Sequence, residues 1–138
     1  MSAVASFQLL AVKSDDRGYV FEPAGADDLP GQRNVHVVMT RPGAVRGNHV
    51  HARGTEILTV VGPALIRVRE SGALRDVQVA PGAVMRCLFP PGVAHAVRND
   101  GDEPQILVAF NTVEHDPAAP DVARDQLLSP LTSSPGAS

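Results

Sequence analysis

The sequence has no tryptophan, one tyrosine and four phenylalanines, so aromatic residues make up only 4% of it. Any core must be filled by Val, Leu, Ile and Ala, and there is little surface on which a flat phenolic ligand could stack. One cysteine, Cys87, excludes an intrachain disulfide and with it a stapled secreted scaffold. Long apolar runs are missing too: no stretch reaches membrane-spanning length. Met1 to Leu10 lacks the basic start and apolar stretch of a secretory signal, so a cytoplasmic location is expected. Nor is there an excess of positive charge. A formal net charge of −3 gives no electrostatic reason to expect nucleic acid or an anionic membrane as a partner.

What is present is the composition of one soluble domain. The 138 residues are 43% hydrophobic and 20% charged, enough chain to bury a sizeable core. Glycine and proline number 12 each, which favours many short strands joined by tight turns over long helices.

The pattern along the chain agrees. Phe7 to Val12, Tyr19 to Phe21, Asn34 to Thr40, Val45 to Val50 and Glu56 to Val61 read as strands. Ala64 to Arg69 alternates apolar and basic residues with the period of a half-buried strand. Val77 and Val79, Val84 to Phe89, Ala94 to Arg98 and Gln105 to Asn111 continue the series between Pro-Gly and Asn-Asp turns. Strands spaced in this way predict an antiparallel sandwich or barrel. Beyond Val113 the chain is punctuated by prolines. A tail is expected over residues 117–138, with a short helix over Asp121 to Leu128 and disorder from Ser133 to Ser138.

One segment carries chemistry: Gly43, then His49-Val50-His51, then Glu56, then Gly62. On a strand, His49 and His51 project from one face, so both imidazoles can reach one ion. Gly54 lies in the turn that returns Glu56 to the same pocket. A second segment, Gly82 through Pro90-Pro91-Gly92 to His95 and Asn99, uses a tight turn to deliver a third imidazole. Three imidazoles and a carboxylate suit Zn, Fe, Mn, Ni, Co or Cu better than Mg or Ca. In the alternative, a metal-free pocket, the four side chains hydrogen-bond to one another or to a substrate.

These two segments resemble the paired motifs of the cupin superfamily. The first departs from that pattern by one residue before Gly62, and the second by two extra residues between Gly82 and Pro90. The resemblance implies an all-β antiparallel jelly-roll barrel over residues 1–116, with the metal-site core at 43–99. Its implied metal ligands are His49, His51, Glu56 and His95. The run Arg46-Gly47-Asn48-His49-Val50-His51, Thr55-Glu56 and Ala64 to Arg67 is similar to the cupin domain of capsular-polysaccharide reductases that epimerise UDP-linked amino-sugars. Asn111 and Asp116 to Asp121 are similar to that domain's exit segment. In that family the matching positions hold zinc, which favours zinc here. Its reductase domain has no counterpart in these residues, so its substrate does not transfer directly. Asp16-Arg17-Gly18 resembles, more weakly, the opening of dTDP-sugar ketoisomerases and epimerases. A homodimer is expected on the same grounds, with an N-terminal strand such as Phe7 to Val12 free to cross to a partner.

His36 could line the cavity as a proton shuttle or pack on the barrel exterior. Arg46 is a candidate clamp for a substrate phosphate or carboxylate, with Arg41 and Arg53 nearby, although strand parity turns it away from His49. Asn111 is placed at the cavity rim as a substrate contact, with Glu114 beside it. Asn48 lies off the ligand face. Cys87 reads as a core residue, His115 as exposed, and Tyr19 as an alternative general acid.

The leading functional expectation is a metal-dependent isomerase or epimerase acting on a carbonyl-bearing sugar, with His36 or Glu56 as the base. A cupin dioxygenase using iron or manganese is the second reading, and a non-catalytic binder of small molecules is the third.

Overall fold

In a computed structural model that describes residues 3–131, the chain is built from strands and one 3-10 turn, Leu29–Gly31. The strands are β1 (Ser6–Leu9), β2 (Lys13–Asp15), β3 (Gly18–Val20), β4 (Asn34–Thr40), β5 (Val45–His51) and β6 (Glu56–Val61). They continue with β7 (Ala64–Glu70), β8 (Ala73–Val79), β9 (Val84–Phe89), β10 (Ala94–Asn99), β11 (Gln105–Asn111) and β12 (Val122–Arg124). No helix among the described residues is long and apolar enough to cross a membrane.

Ten strands form two five-stranded antiparallel sheets, ordered β1-β9-β6-β11-β4 and β12-β5-β10-β7-β8. β2 and β3 make a separate hairpin. Each sheet turns one face inward, because the apolar residues recur with the strand period of two. On β7, Ile66 and Val68 are buried while Leu65 and Arg67 are only half-covered. They meet Val60, Cys87, Phe89, Leu107 and Ala109 of the opposite sheet in one core. Cys87 is fully buried there, and burial pushes its thiol far above the usual range, so it is a packing residue. This is the jelly-roll expected from the sequence. β1 pairs with β9 of its own chain.

The motif's last residue, Asn99, closes one end. Its amide donates to Thr40 O (3.1 Å) and Glu103 O (2.8 Å), and its Oδ1 accepts from Gly101 N (2.9 Å).

The helix expected over Asp121 to Leu128 does not form. Val122–Arg124 is instead a strand that pairs with β5, from Val122 opposite His51 to Arg124 opposite His49. The reason lies outside the segment: β5 offers a free edge, and Leu127 and Leu128 bury themselves against Ala94 and Ala96 on the outer face of the second sheet. Burying each such side chain contributes roughly 1.5–3 kcal/mol. Arg69 holds Asp125 through two contacts of 3.0 and 3.2 Å, and Arg67 Nη1 donates to Leu127 O. Residues 133–138, expected to be disordered, lie outside the described residues.

Candidate metal centre

Four side chains converge at one end of the sandwich. β5 supplies His49 and His51, β6 begins with Glu56, and β10 supplies His95 in register with His49. Their candidate ligand atoms all lie within 4.8 Å of one another, so this cluster could hold a metal ion. His51 Nε2 stands 2.8 Å and His95 Nε2 3.0 Å from Glu56 Oε2, and the Nε2 atoms of His49 and His95 are 3.1 Å apart. Exposure grades across the group. The His95 side chain is 2% exposed, Glu56 7%, His51 12% and His49 30%, which puts His49 on the solvent side and His95 at the floor.

The surroundings fix how each ring points. His95 stacks on Phe89 with centroids 4.0 Å apart and planes 4° from parallel. Its Nδ1 lies 3.2 Å from Val93 O, which takes the ring proton on that side. In the neutral ring Nε2 is then a lone pair, aimed at a carboxylate oxygen and a second imidazole nitrogen. Without a metal these short contacts are hydrogen bonds through shared ring protons, and with those protons gone the Nε2 lone pairs and the carboxylate converge where an ion could sit. Three nitrogens and one carboxylate oxygen fit a borderline divalent ion.

Electrostatics agree. Burial would raise the Glu56 carboxyl, but hydrogen bonds from His49, His51 and His95 hold it well below its usual range. For His51 burial acts to lower the ring, and the Glu56 and Asp121 carboxylates outweigh it and raise its pKa above 6.5.

Two cavities meet at this cluster, and His36, His49 and Glu56 line both. The inner one, about 160 Å³, is walled by Val38, Leu58, Val97 and Leu107, with Arg46 at its edge. The outer one, about 210 Å³, is bordered by Asn111, Glu114, His115, Asp116 and Asp121. His36 thus stands on the cavity wall, its Nδ1 2.9 Å from Asn34 Oδ1. Asn111 is buried at the rim with its Oδ1 accepting from Val113 N (2.8 Å). Exposed Tyr19 stacks on Phe21 in the β2–β3 region and lines neither cavity.

Arg46 departs from its expected side. Strand parity turned it away from His49, yet both line the inner cavity. The cause is a register shift in the β5–β10 pairing, where His95 faces His49 but Ala96 faces Gly47, so Asn48 is an extra residue. Gly47 (φ 88°) and Asn48 (φ 56°) both take left-handed backbone, and a Cβ on Gly47 would lie 2.7 Å from His95 O. Even so, Arg46 is exposed, and its Nη2 donates to Met39 O at 2.7 Å.

Asn48 lies off the ligand face as expected, but its anchoring role, and that of Asp121, went unread in the sequence. Asn48 points to the outer face of the sheet, where its Oδ1 accepts from Leu127 N (2.9 Å) and Leu128 N (3.0 Å) and its Nδ2 donates to Leu128 O (3.0 Å). Asp121 accepts from Arg53 N (2.9 Å) and Gly54 N (2.8 Å), and these bonds overcome the opposing effect of burial to keep its pKa below the usual value. The Gly47-Asn48 pair at the bulge was a readable signal for the first. A tail aspartate facing loop residues 68 and 67 positions earlier leaves none.

Residues 13–123 match the family described as the polysaccharide biosynthesis C-terminal domain. The chain belongs to this family. Its fold is that of the cupins, and solved structures repeat it. QdtA, a sugar 3,4-ketoisomerase from Thermoanaerobacterium thermosaccharolyticum in complex with TDP, superposes with a TM-score of 0.66 at 16% identity, covering 88% of this chain and 88% of its own. The capsular polysaccharide assembling protein CapF of Staphylococcus aureus is 27% identical with a TM-score of 0.63, over 86% of this chain and 33% of CapF. Germin-like protein 5-1 of Oryza sativa subsp. japonica is 31% identical over 102 residues, 69% of this chain and 45% of that protein. The chain therefore spans less than half the length of the curated relatives it matches.

Proposed function

We propose that this cupin is a metal-dependent isomerase or epimerase that acts on a carbonyl-bearing sugar, with nucleotide-linked sugars as the first candidates. The observation that carries the reading is the convergence of three imidazole Nε2 atoms and one carboxylate oxygen at the floor of a cavity walled by a further histidine. The family's description and the likeness to CapF support the sugar class.

In this reading His49, His51, Glu56 and His95 hold one divalent ion, zinc being favoured. When bound, the ion would polarise a substrate carbonyl as a Lewis acid. The chain's own residues do the rest. His36 takes the proton from the carbon beside the carbonyl, with Asn34 Oδ1 fixing Nδ1–H and leaving Nε2 as the acceptor. Glu56, held ionised among three imidazoles, serves as a ligand, not as the base. Among the described residues Arg46 is the one guanidinium lining either cavity; it meets a substrate phosphate or carboxylate, while Asn111 contacts substrate at the rim. The aliphatic wall of Val38, Leu58 and Leu107 excludes water from the reacting face. The same reading places the protein in the cytoplasm as a homodimer, which the exposed apolar residues Val35, Val37 and Met39 of edge strand β4 favour.

The test is proton exchange. Incubated in D2O with zinc and a nucleotide-linked 4-keto sugar, the protein is expected to place deuterium beside the carbonyl, detected by NMR, and His36→Ala to abolish this. Oxygen uptake by the iron-loaded protein without exchange would replace the reading with an oxygenase, and ligand binding without turnover would replace it with a binding protein.

A further inference from the structure

His51 is held differently from His95. Its Nε2 faces the centre of the cluster, but its Nδ1 is buried and makes no hydrogen bond among the described residues. The carboxylate beside it is Asp121, whose Oδ2 lies 3.5 Å from that nitrogen. This carboxylate is not a loose surface acid. Its side chain is 10% exposed, Oδ1 accepts from Arg53 N and Arg53 Nε, and Oδ2 accepts from Gly54 N. Three donors therefore fix both oxygens before His51 is considered.

The approach depends on Gly54. A Cβ there would collide with Asn111 Oδ1 and lie 3.0 Å from Asp121 Oδ2. Asp121 also immediately precedes β12, whose pairing sets Val122 opposite His51. The segment expected to be a tail thus delivers a clamped carboxylate to the rear of a cluster histidine.

The geometry points to Asp121 as a positioning residue: it holds the proton of His51 on Nδ1, so that Nε2 presents its lone pair to the metal. The inference rests on the metal-binding reading above. A ring free to flip or exchange tautomers donates poorly, and removing a carboxylate from behind a ligating imidazole lowers metal affinity by about tenfold to a hundredfold. The two ring-fixing devices differ in kind. His95 relies on a carbonyl from its own strand approach, which no side-chain substitution removes. His51 relies on a side chain some seventy positions away, so its orientation can be tested by mutation.

The experiment compares wild type, Asp121→Ala, Asp121→Asn and Leu128→Ala by zinc competition against a chromogenic chelator. It pairs this with long-range nitrogen NMR of the imidazoles at alkaline pH, on both zinc-loaded and metal-free protein. Asp121→Ala is expected to lose tenfold to a hundredfold in zinc affinity and to shift His51 from the Nδ1–H form to a tautomer mixture. Asp121→Asn should fall between, because its amide can satisfy the Gly54 side or the Arg53 side but not both. Leu128→Ala loosens the docked segment at its apolar end and should lower the melting temperature while leaving the His51 tautomer intact. Unchanged zinc affinity and tautomer in Asp121→Ala would overturn the inference, as would an equal loss of both in Leu128→Ala. If wild type binds no zinc, the metal reading falls. The metal-free spectra then decide: an Nδ1–H His51 that depends on Asp121 upholds the positioning role, and an independent one removes it.

Discussion

Replacing Asn48 removes three hydrogen bonds and, with alanine, also penalises the backbone. Its Oδ1 is the acceptor for Leu127 N and Leu128 N, and its Nδ2 is a donor to Leu128 O, all between 2.9 and 3.0 Å. Each such bond is worth about 1 kcal/mol net, so Asn48→Gly should cost about 2–3 kcal/mol. Glycine accepts the left-handed φ of 56° at this position, whereas alanine pays about 1 kcal/mol more to adopt it. Asn48→Asp keeps the acceptor and loses the donor, which predicts the smallest loss, about 1 kcal/mol. For a chain of this size each kcal/mol moves the melting temperature by about 3–5 °C. Urea unfolding of the metal-free proteins, followed by circular dichroism, measures the series directly. The expected order of stability is wild type, Asp, Gly, Ala. Losses below about 0.5 kcal/mol for both glycine and alanine would refute the claim that Asn48 anchors the C-terminal segment. Equal losses for the two would refute the backbone part of the reasoning.

Two further predictions follow from the site. Gly54→Ala forces a methyl group onto Asn111 Oδ1 and Asp121 Oδ2, and should destabilise the protein by about 1–3 kcal/mol in a thermal melt; a melt unchanged from wild type would mean that the 51–56 turn is loose. The second concerns pH. The His51 pKa is raised above 6.5 in the fold, so its stabilisation of the metal-free protein is complete below that pH and is lost as pH rises through the folded value. Glu56 is lowered well below 4.5, so its contribution is present above 4.5 and is lost as pH falls through the folded value. The metal-free protein should therefore be less stable at about pH 8 than at about pH 6, whereas zinc, which needs deprotonated imidazoles, should stabilise more as pH rises. Melting curves with chelator and with zinc should slope in opposite directions over this range. Parallel slopes would contradict the cluster's protonation scheme.

Much of the architecture was legible because it is periodic. The alternation in Ala64 to Arg69 and the Pro-Gly turns after Val79 and Phe89 placed the strands within a few residues, and burial at Ile66 and Val68 follows directly. The four cluster residues were legible because two lie at strand spacing and the others follow short turns. What escaped was tertiary. Asp121 to Leu128 has a composition compatible with a helix, but an open edge on β5 and an apolar patch at Ala94 and Ala96 make it a strand and a docked arm. Arg46 was put on the wrong side because parity assumes a regular strand, and the extra residue at Gly47-Asn48 reverses it.

The central claim concerns His49, His51, Glu56 and His95, and metal analysis of the untagged protein tests it most directly. Elemental analysis with zinc titration should find one divalent ion per chain, and Glu56→Ala or His95→Ala should each abolish it while the strand spectrum persists. Protein that binds no divalent ion, or whose bound ion is retained in both variants, would contradict the account.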